Sequence, residues 1–272
     1  MIETNSIKTA IVNTTQCSFF YTEVGRGPAV LLLHDGNGSH DEWSRFIPLL
    51  SSSMRVLAPD RPGCGKSGTP REGYGRTTQG RAIHEFIKAI GEERLSVIGH
   101  GLGGFLAIEF AAANSYAVRR LVLISPVTGG LDGPSRRLTS EEALAERQLY
   151  GSDSNVDRAN RAAETLFSQP ERRRAYVESV EQFAAASDPR VITDMLETAG
   201  HVRDDILFPT FRQPTLIIRP EIDPTFSAAR AQRIADLIPN AQLVSLPEVG
   251  HFAHIEAPEK LAEIVLPFLR ER

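Results

Sequence analysis

Two residues of types that carry out acid–base chemistry, a histidine and an aspartate, lie near the C-terminal end of the chain. His251 follows a short predicted strand in a Gly-His-Phe turn, 28 positions beyond Asp223, which itself follows another predicted strand. A carboxylate bonded to an imidazole orients the ring and stabilises its protonated form, which makes the histidine a general base near neutral pH. The pair predicts a proton-transfer site with His251 as the base. The simpler interpretations are a structural histidine and, for Asp223, the N-cap of the following helix.

A glycine-rich turn lies between a strand and a helix at Gly99-His100-Gly101-Leu102-Gly103-Gly104. Its GxGxxG spacing matches the dinucleotide-binding fingerprint, which belongs to the first βαβ unit and expects an acidic residue at the end of the next strand. Here at least three predicted strands precede the turn. The next strand ends Leu123-Ile124-Ser125-Pro126, which contains no acidic residue. We therefore expect no nucleotide cofactor.

The elements that position these residues alternate between strand and helix patterns. Short apolar runs separated by helix-period segments predict an α/β fold with a mostly parallel sheet covered on both faces. The predicted strands are Lys8–Asn13, Ser18–Glu23, Ala29–Leu33, Arg55–Ala58, Leu95–Ile98, Leu121–Ile124, Pro214–Ile218 and Gln242–Leu246. The predicted helices are Glu42–Ser51, Thr77–Ile90, Gly103–Ala113, Phe226–Leu237 and Pro258–Leu269.

The alternation stops in the middle of the chain. Residues 129–208 are polar and helical in character, with no convincing strand. Because ligands of parallel α/β sheets bind at the carboxyl ends of the strands, we expect this insertion to form a helical cap over that edge. The predicted organisation is a core of residues 1–128 and 209–272 with a cap of residues 129–208.

Composition excludes several classes of partner. The chain has 272 residues, 41% hydrophobic and 24% charged, with net charge −4. No basic stripe would neutralise a nucleic-acid backbone, and no apolar run approaches the roughly 20 residues of a membrane helix. With no secretory signal pattern and two cysteines expected to be reduced thiols (Cys17 and Cys64), we expect a cytoplasmic protein. No metal-ligand spacing is present, and the sequence does not indicate an oligomeric state.

The order of the motifs resembles that of the α/β-hydrolase superfamily over essentially the whole chain outside the cap. The resemblance rests on five segments, namely HDGNGS, DRPGCGKSG, VIGHGLGG, LIIRPEID and PEVGHFAHIEAPE. It implies the α/β-hydrolase fold, with an eight-stranded, mostly parallel sheet, helices on both faces and a helical cap. In this family a nucleophile on a GxSxG elbow precedes the acid and the base along the chain. Asp223 matches the acid and His251 the base.

The elbow departs from the family pattern because Gly101 stands at the nucleophile position. A covalent acyl-enzyme cannot form at a residue without a side chain. The resemblance further implies an oxyanion hole made by the backbone N–H groups of Gly36 and Leu102. A second departure is Asp35, where the family usually has the first glycine of an HG pair. Cys64 is the alternative nucleophile in the sequence, although nothing near it in the sequence would lower its pKa.

Substrate contacts are predicted at three further positions. His100 precedes the elbow and is expected to pack against or line the pocket. Asp35 and Trp43, within and just after the HDGNGS loop, complete the predicted substrate-binding set. The expected partner is a small-molecule substrate, with no cofactor and no metal.

Three functions fit a base without a nucleophile. The first is an enzyme in which His251 and Asp223 perform non-covalent chemistry on a carbonyl-bearing small molecule, such as lyase, cyclisation or carbon–carbon bond-forming reactions of a biosynthetic type. The second is a serine hydrolase of esterase, lactonase or C–C hydrolase type, inactivated by a serine-to-glycine change at Gly101. The third is a non-catalytic small-molecule receptor on the same scaffold.

Overall fold

The computed structural model describes residues 7–131 and 154–271. Eight strands form one sheet in the order β1-β2-β4-β3-β5-β6-β7-β8. The first strand pairs antiparallel with the second and the second with the fourth, while every other neighbouring pair is parallel. The strands are β1 (Lys8–Asn13), β2 (Ser18–Val24), β3 (Ala29–Leu33), β4 (Arg55–Pro59), β5 (Leu95–His100), β6 (Val118–Ile124), β7 (Thr215–Pro220) and β8 (Ala241–Leu246).

The predicted fold class is confirmed, and each of the eight predicted strands is present with small shifts at its ends. The helices are α1 (Ile47–Leu50), α2 (Arg76–Ala89), α3 (Leu102–Ala113), α4 (Asn155–Leu166), α5 (Pro170–Ser179), α6 (Arg190–Ala199), α7 (Asp204–Leu207), α8 (Ala228–Leu237), α9 (Ala253–Glu256) and α10 (Pro258–Arg270). Two 3₁₀ turns (His40–Trp43 and Phe208–Thr210) and a π turn (Val180–Ala184) complete the described elements.

The prediction of one helix over Glu42–Ser51 is wrong. The structure divides this segment into the 3₁₀ turn His40–Trp43 and the short helix α1. Pro48 lies in the first turn of α1. Because proline lacks an N–H and its ring clashes with the preceding helical turn, it favours the start of a new helix at this position over a continuous one.

The central strands are buried on both faces, and successive side chains alternate between two hydrophobic clusters. One cluster includes Leu31, Leu33, Val97, Leu121, Leu123 and Ile217, packed against α2, α3 and α8. The other includes Val30, Leu32, Ile98, Val122, Ile124, Leu216 and Ile218, packed against α1 and α10. Helices on both faces thus exclude water from the sheet and hold the carboxyl ends of its strands at a fixed edge.

The described part of the predicted cap is helical. Helices α4, α5 and α6 lie between β6 and β7, and residues 154–208 contain no strand. Residues 132–153 of the predicted cap lie outside the described residues. Phe167 and Tyr176 pack on Phe252, with ring centroids 4.7 and 4.5 Å apart. The cap therefore contacts the core next to His251.

Among the described residues, no helix has both the length and the apolar character needed to cross a membrane. Cys17 and Cys64 are free thiols and both are buried.

Candidate active site

The turn between β5 and α3 has the sharp geometry of a strand-to-helix elbow. Gly101 adopts φ +53° and ψ −118°, in the left-handed region that glycine enters without steric cost. Two residues later, a Cβ on Gly103 would lie 2.1 Å from the carbonyl oxygen of Leu33. Gly103 is therefore required for the close approach of α3 to β3. Packing also requires Gly99, the first glycine of the GxGxxG pattern, because a Cβ there would lie 2.5 Å from the carbonyl oxygen of Gly103. The pattern at this position is thus explained without any nucleotide.

His251 and Asp223 meet at the carboxyl edge of the sheet. The Nδ1 atom of His251 lies 2.7 Å from Oδ2 of Asp223. The other carboxylate oxygen accepts hydrogen bonds from the backbone N–H and the hydroxyl of Thr225, at 2.8 and 2.7 Å. With Nδ1 bonded to the carboxylate, Nε2 is the ring nitrogen that can exchange a proton with a substrate. Sequence reasoning missed Thr225, although an Asp-Pro-Thr segment after a strand is typical of such side-chain-to-backbone turns.

The electrostatics of this pair favour an ionised Asp223 and a more basic His251. Burial alone would raise the pKa of Asp223, but the hydrogen bond and the charge of His251 outweigh it and hold that pKa well below its usual range. Burial alone would lower the pKa of His251. The hydrogen bond and charge of Asp223, joined by the charges of Asp35 and Glu42, outweigh burial and raise the pKa of His251.

The cap fixes the backbone of the same turn. The N–H of His251 donates to the carbonyl oxygen of Leu166, at the end of α4, at 2.8 Å. A Cβ on Gly250 would lie 2.4 Å from that carbonyl oxygen, so this position has no room for a side chain. A backbone hydrogen bond therefore joins α4 to the turn that carries His251.

Beneath the elbow lies a fully buried polar cluster of Glu42, His100 and His254. One carboxylate oxygen of Glu42 is 3.0 Å from Nδ1 of His100 and 3.0 Å from Nε2 of His254. Burial alone would raise the pKa of Glu42, but the hydrogen bonds and charges of the two histidines outweigh it and hold that pKa well below its usual range. Burial, together with the nearby His100, lowers the pKa of His254 to about 4.

This cluster is the one group of three buried His and carboxylate ligands in the described residues that could hold a metal, with ligand atoms within 4.8 Å of one another. The ring of His100, however, is fully engaged. Its Nδ1 faces the Glu42 carboxylate, and its Nε2 lies 3.1 Å from the backbone carbonyl oxygen of His251. Because both neighbours are hydrogen-bond acceptors, the His100 ring is oriented to donate N–H groups to them and not to bind a metal ion. These contacts favour a structural role for the cluster, beneath His251, over a metal-binding role.

Two of the predicted substrate contacts lie in this buried layer. The side chains of His100 and Trp43 have no exposed surface, and the Trp43 ring packs on His254 with centroids 4.3 Å apart. His100 also packs under the His251 ring, at 4.5 Å between centroids. In this arrangement both residues pack beneath the turn that carries His251.

The predicted oxyanion donors lie on either side of the elbow, and one of them is already bonded. The backbone N–H of Leu102 donates to Oδ1 of Asp35 at 2.7 Å. A Cβ on Gly36 would lie 3.0 Å from the Leu102 side chain and 3.1 Å from Ile192 of the cap. Gly36 and Leu102 are thus adjacent. The N–H of Leu102, however, already donates its hydrogen bond to the Asp35 carboxylate and not to a substrate oxygen.

Cys64, the alternative nucleophile in the sequence, is unsuited to nucleophilic attack, and His34, which follows β3, is unsuited to proton transfer near neutral pH. Burial raises the pKa of the Cys64 thiol to about 11, so this side chain is a poor substitute nucleophile. Burial and the charge of Arg61 lower the pKa of His34 to about 4. The N–H of Arg61 donates to Nε2 of His34, whose Nδ1 lies 2.7 Å from the carbonyl oxygen of Asp35. His34 therefore holds the loop that carries Asp35.

One cap residue that sequence reasoning missed also faces this region. Tyr176 is buried, and its pKa is raised well above the usual range, first by burial and then by the charges of Glu42 and Asp35. Its hydroxyl therefore stays neutral near the two carboxylates. No signal in the sequence distinguishes it from the other aromatic residues of the cap.

Comparisons with known proteins identify the family to which this fold belongs. A family model described as "Alpha/beta hydrolase family" matches residues 30–264. A 2-hydroxymuconate semialdehyde hydrolase of Pseudomonas putida is 30% identical over 261 residues, covering 91% of this chain and 89% of that protein. A 2-hydroxy-6-oxo-6-(2'-aminophenyl)hexa-2,4-dienoic acid hydrolase of Metapseudomonas resinovorans is 27% identical over 265 residues, covering 93% and 87%.

Among solved structures, a hydrolase from Pseudomonas aeruginosa PA01 superposes with a TM-score of 0.83 at 24% identity, covering 97% of this chain and 99% of that one. An enol-lactonase from Burkholderia xenovorans LB400 superposes with a TM-score of 0.82 at 19% identity, covering 96% and 100%. These structures share the fold, and the family model covers most of the chain. The chain belongs to the α/β-hydrolase family.

Proposed function

We propose that this chain hydrolyses a carbonyl-bearing small molecule, cleaving an ester or carbon–carbon bond next to the carbonyl group. The observation that carries the proposal is the 2.7 Å contact between His251 Nδ1 and Asp223 Oδ2 at the carboxyl edge of the sheet. This contact leaves Nε2 of His251 to give and take protons at the reacting bond.

The similar proteins favour hydrolysis over the other reactions that a site without a serine could perform. Both full-length relatives compared above are hydrolases whose substrate names include an oxo or aldehyde group. Lyase, cyclisation and bond-forming chemistry receive no support from them. A hydrolase therefore fits these relatives better than the non-hydrolytic enzymes. Such a hydrolase needs another group in place of the serine that Gly101 replaces.

The geometry bears on whether Gly101 is simply a serine that was removed. A Cβ at this position would lie 2.1 Å from Oδ1 of Asp35, so the space of the missing side chain is filled. Replacement of a serine by glycine at position 101 alone would not explain why an aspartate stands at position 35. We take the two departures from the family pattern to be coupled features of one site.

The test compares wild type with His251→Ala on 2-hydroxymuconate semialdehyde and on 4-nitrophenyl acetate, followed by absorbance. Loss of an acid–base group in the reacting position lowers kcat/KM by about 100-fold or more. His201→Ala, at an exposed histidine outside the site, is the matched control and keeps wild-type turnover. Unchanged turnover in His251→Ala contradicts the assignment, as does binding of both compounds by wild type without hydrolysis, which is the behaviour of a receptor.

A further inference from the structure

The side chain of Asp35 occupies the space in which this fold carries its nucleophile. A Cβ placed on Gly101 in ideal geometry would lie 2.1 Å from Oδ1 of Asp35, 2.5 Å from its Cγ and 3.2 Å from its Cβ. The family elbow presents its attacking atom from this same point. A carboxylate from the loop after β3 therefore stands where the elbow itself has no side chain.

Asp35 is held in this place by several hydrogen bonds. Its Oδ1 accepts from the N–H of Leu102 at 2.7 Å, and its own backbone N–H donates to the Glu42 carboxylate. Its carbonyl oxygen accepts from Nη2 of the buried Arg61 at 3.1 Å and lies 2.7 Å from Nδ1 of His34. A carboxylate fixed on both its backbone and its side chain is preorganised for reaction, because little reordering is needed at the moment of attack.

We propose that Asp35 is the nucleophile of this site and forms a covalent intermediate with the carbonyl substrate. The proposal rests on the proposed hydrolase function and supplies the attacking group that Gly101 lacks. Aspartate and glutamate carboxylates serve as nucleophiles in several enzyme classes. A carboxylate attacks without first losing a proton, so His251 is free to begin the reaction as the acid.

In the first step, Oδ2 of Asp35 attacks the carbonyl carbon of the substrate R–CO–X. A bond forms between Oδ2 and that carbon, and the bond from the carbon to X breaks. The leaving group X takes the electron pair of the broken bond and the proton of the His251 imidazolium, and departs as HX. The product of the step is a mixed anhydride between Asp35 and the acyl group R–CO, with His251 neutral.

In the second step, water gives a proton to His251 and its oxygen attacks Cγ of Asp35. Negative charge then develops on Oδ1, where the N–H of Leu102 is already bonded at 2.7 Å. Collapse of this intermediate expels the carboxylate R–COO⁻ and leaves Asp35 protonated, and that proton passes to solvent. The sum is R–CO–X plus water giving R–COOH plus HX.

The position of the Leu102 N–H predicts which molecule first receives the oxygen atom of the attacking water. Because this N–H bonds to Asp35 and not to a substrate carbonyl, it activates Cγ of Asp35 toward water. In H₂¹⁸O the heavy oxygen enters Asp35, and the first carboxylate released carries an oxygen from the protein. Direct attack by a water activated at His251 would instead place the heavy oxygen in the product at once.

The experiment uses Asp35→Asn, which retains an oxygen for the Leu102 N–H, with Asp41→Asn as the matched control on the same loop. Each protein is treated with phenacyl bromide, a carbonyl electrophile that esterifies carboxylates, and mapped by peptide mass spectrometry. We expect Asp35 of wild type and of Asp41→Asn to label at least about tenfold faster than the other carboxylates. No labelling of Asp35 above the other carboxylates overturns the proposal.

Turnover in H₂¹⁸O with 2-hydroxymuconate semialdehyde gives the second measurement. We expect ¹⁸O in the peptide that carries Asp35 and a fall of about 100-fold or more in kcat/KM for Asp35→Asn. Hydrolysis that is lost in His251→Ala but retained in Asp35→Asn, with ¹⁸O directly in the product, overturns the nucleophile and leaves the proposed function standing. Absence of hydrolysis in wild type overturns the proposed function, and the labelling rate then decides the role of Asp35 on its own.

Discussion

Asp35 and Gly101 share one space, because a Cβ added to Gly101 would lie 2.1 Å from Oδ1 of the Asp35 carboxylate. The carboxylate reaches this place from a loop 67 residues earlier than Leu102, whose N–H holds it. The two positions at which the sequence resemblance implies a departure from the family pattern therefore adjoin each other, and a change at one alters which side chain the other can accept.

Restoring the serine alone should fail. Gly101→Ser would place its side chain against the Asp35 carboxylate at a positive φ that strains a serine by about 1–3 kcal/mol. The double variant Asp35→Gly/Gly101→Ser removes the obstruction and frees the Leu102 N–H as an oxyanion donor. We expect the double variant, and not the single one, to release a burst of 4-nitrophenol from 4-nitrophenyl acetate. An equal burst from the single variant would show that the two positions are independent.

The pH dependence of kcat/KM distinguishes the two possible starting states of His251. With Asp35 as the nucleophile, the first step consumes a proton from the His251 imidazolium. The raised pKa of His251 favours this form, and kcat/KM should fall as pH increases through it. In Asp223→Asn the main group that raises this pKa is lost, so the fall should move to lower pH. A kcat/KM that instead rises through this pH range would indicate water activated by a neutral histidine.

The architecture could be predicted from the sequence because buried parallel strands leave a direct signal. Ala29–Leu33 is apolar at every position, since both of its faces are covered by helices. The order of acid and base along the chain also located His251 and Asp223 in their loops. These features depend on local patterns or on the order of motifs, and both can be read directly from the amino-acid sequence.

The interior of the site could not be predicted in the same way. Glu42 lies 58 residues from His100 in the chain, and burial of an acid between two histidines follows only from the packed structure. The contact of Asp35 with Leu102 similarly joins the loop after β3 to the start of α3, at the ends of adjacent strands. A sequence pattern gives residue types at the carboxyl edge but not which side chain fills which space.

Acid should destabilise the protein in a defined pH window. His34 and His254 both have a pKa lowered from 6.5 to about 4 by burial, so the unfolded chain binds protons there before the native state does. Stability from these groups is fully present above pH 6.5 and is lost as pH falls from 6.5 toward 4. We expect the urea midpoint to drop across this window, and less steeply in His254→Asn. The exposed His201→Asn should keep the wild-type slope, and an unchanged slope in His254→Asn would contradict the assignment.

The Glu42 carboxylate should contribute far more to stability than an exposed acid of the same kind. It contacts His100 and His254, each at 3.0 Å, with almost no exposure of any partner. Removing the carboxylate leaves the two buried imidazoles without this hydrogen-bond partner, at about 1–3 kcal/mol for each group left unpaired. The exposed pair of Glu72 with Arg81, where both side chains are more than half exposed, contributes about 0–1 kcal/mol.

We therefore expect Glu42→Ala to lower the free energy of unfolding by several times the effect of Glu72→Ala, as measured by urea denaturation. Glu42→Gln offers a readout beyond stability, because the negative charge of Glu42 is one of those that raise the pKa of His251. Neutralising it should move the pH at which kcat/KM falls downward, in the same direction as Asp223→Asn and by a smaller amount. Equal destabilisation by Glu42→Ala and Glu72→Ala would show that the buried cluster does not stabilise the fold more than an exposed ion pair does. An unchanged pH profile in Glu42→Gln would show that Glu42 does not raise the pKa of His251.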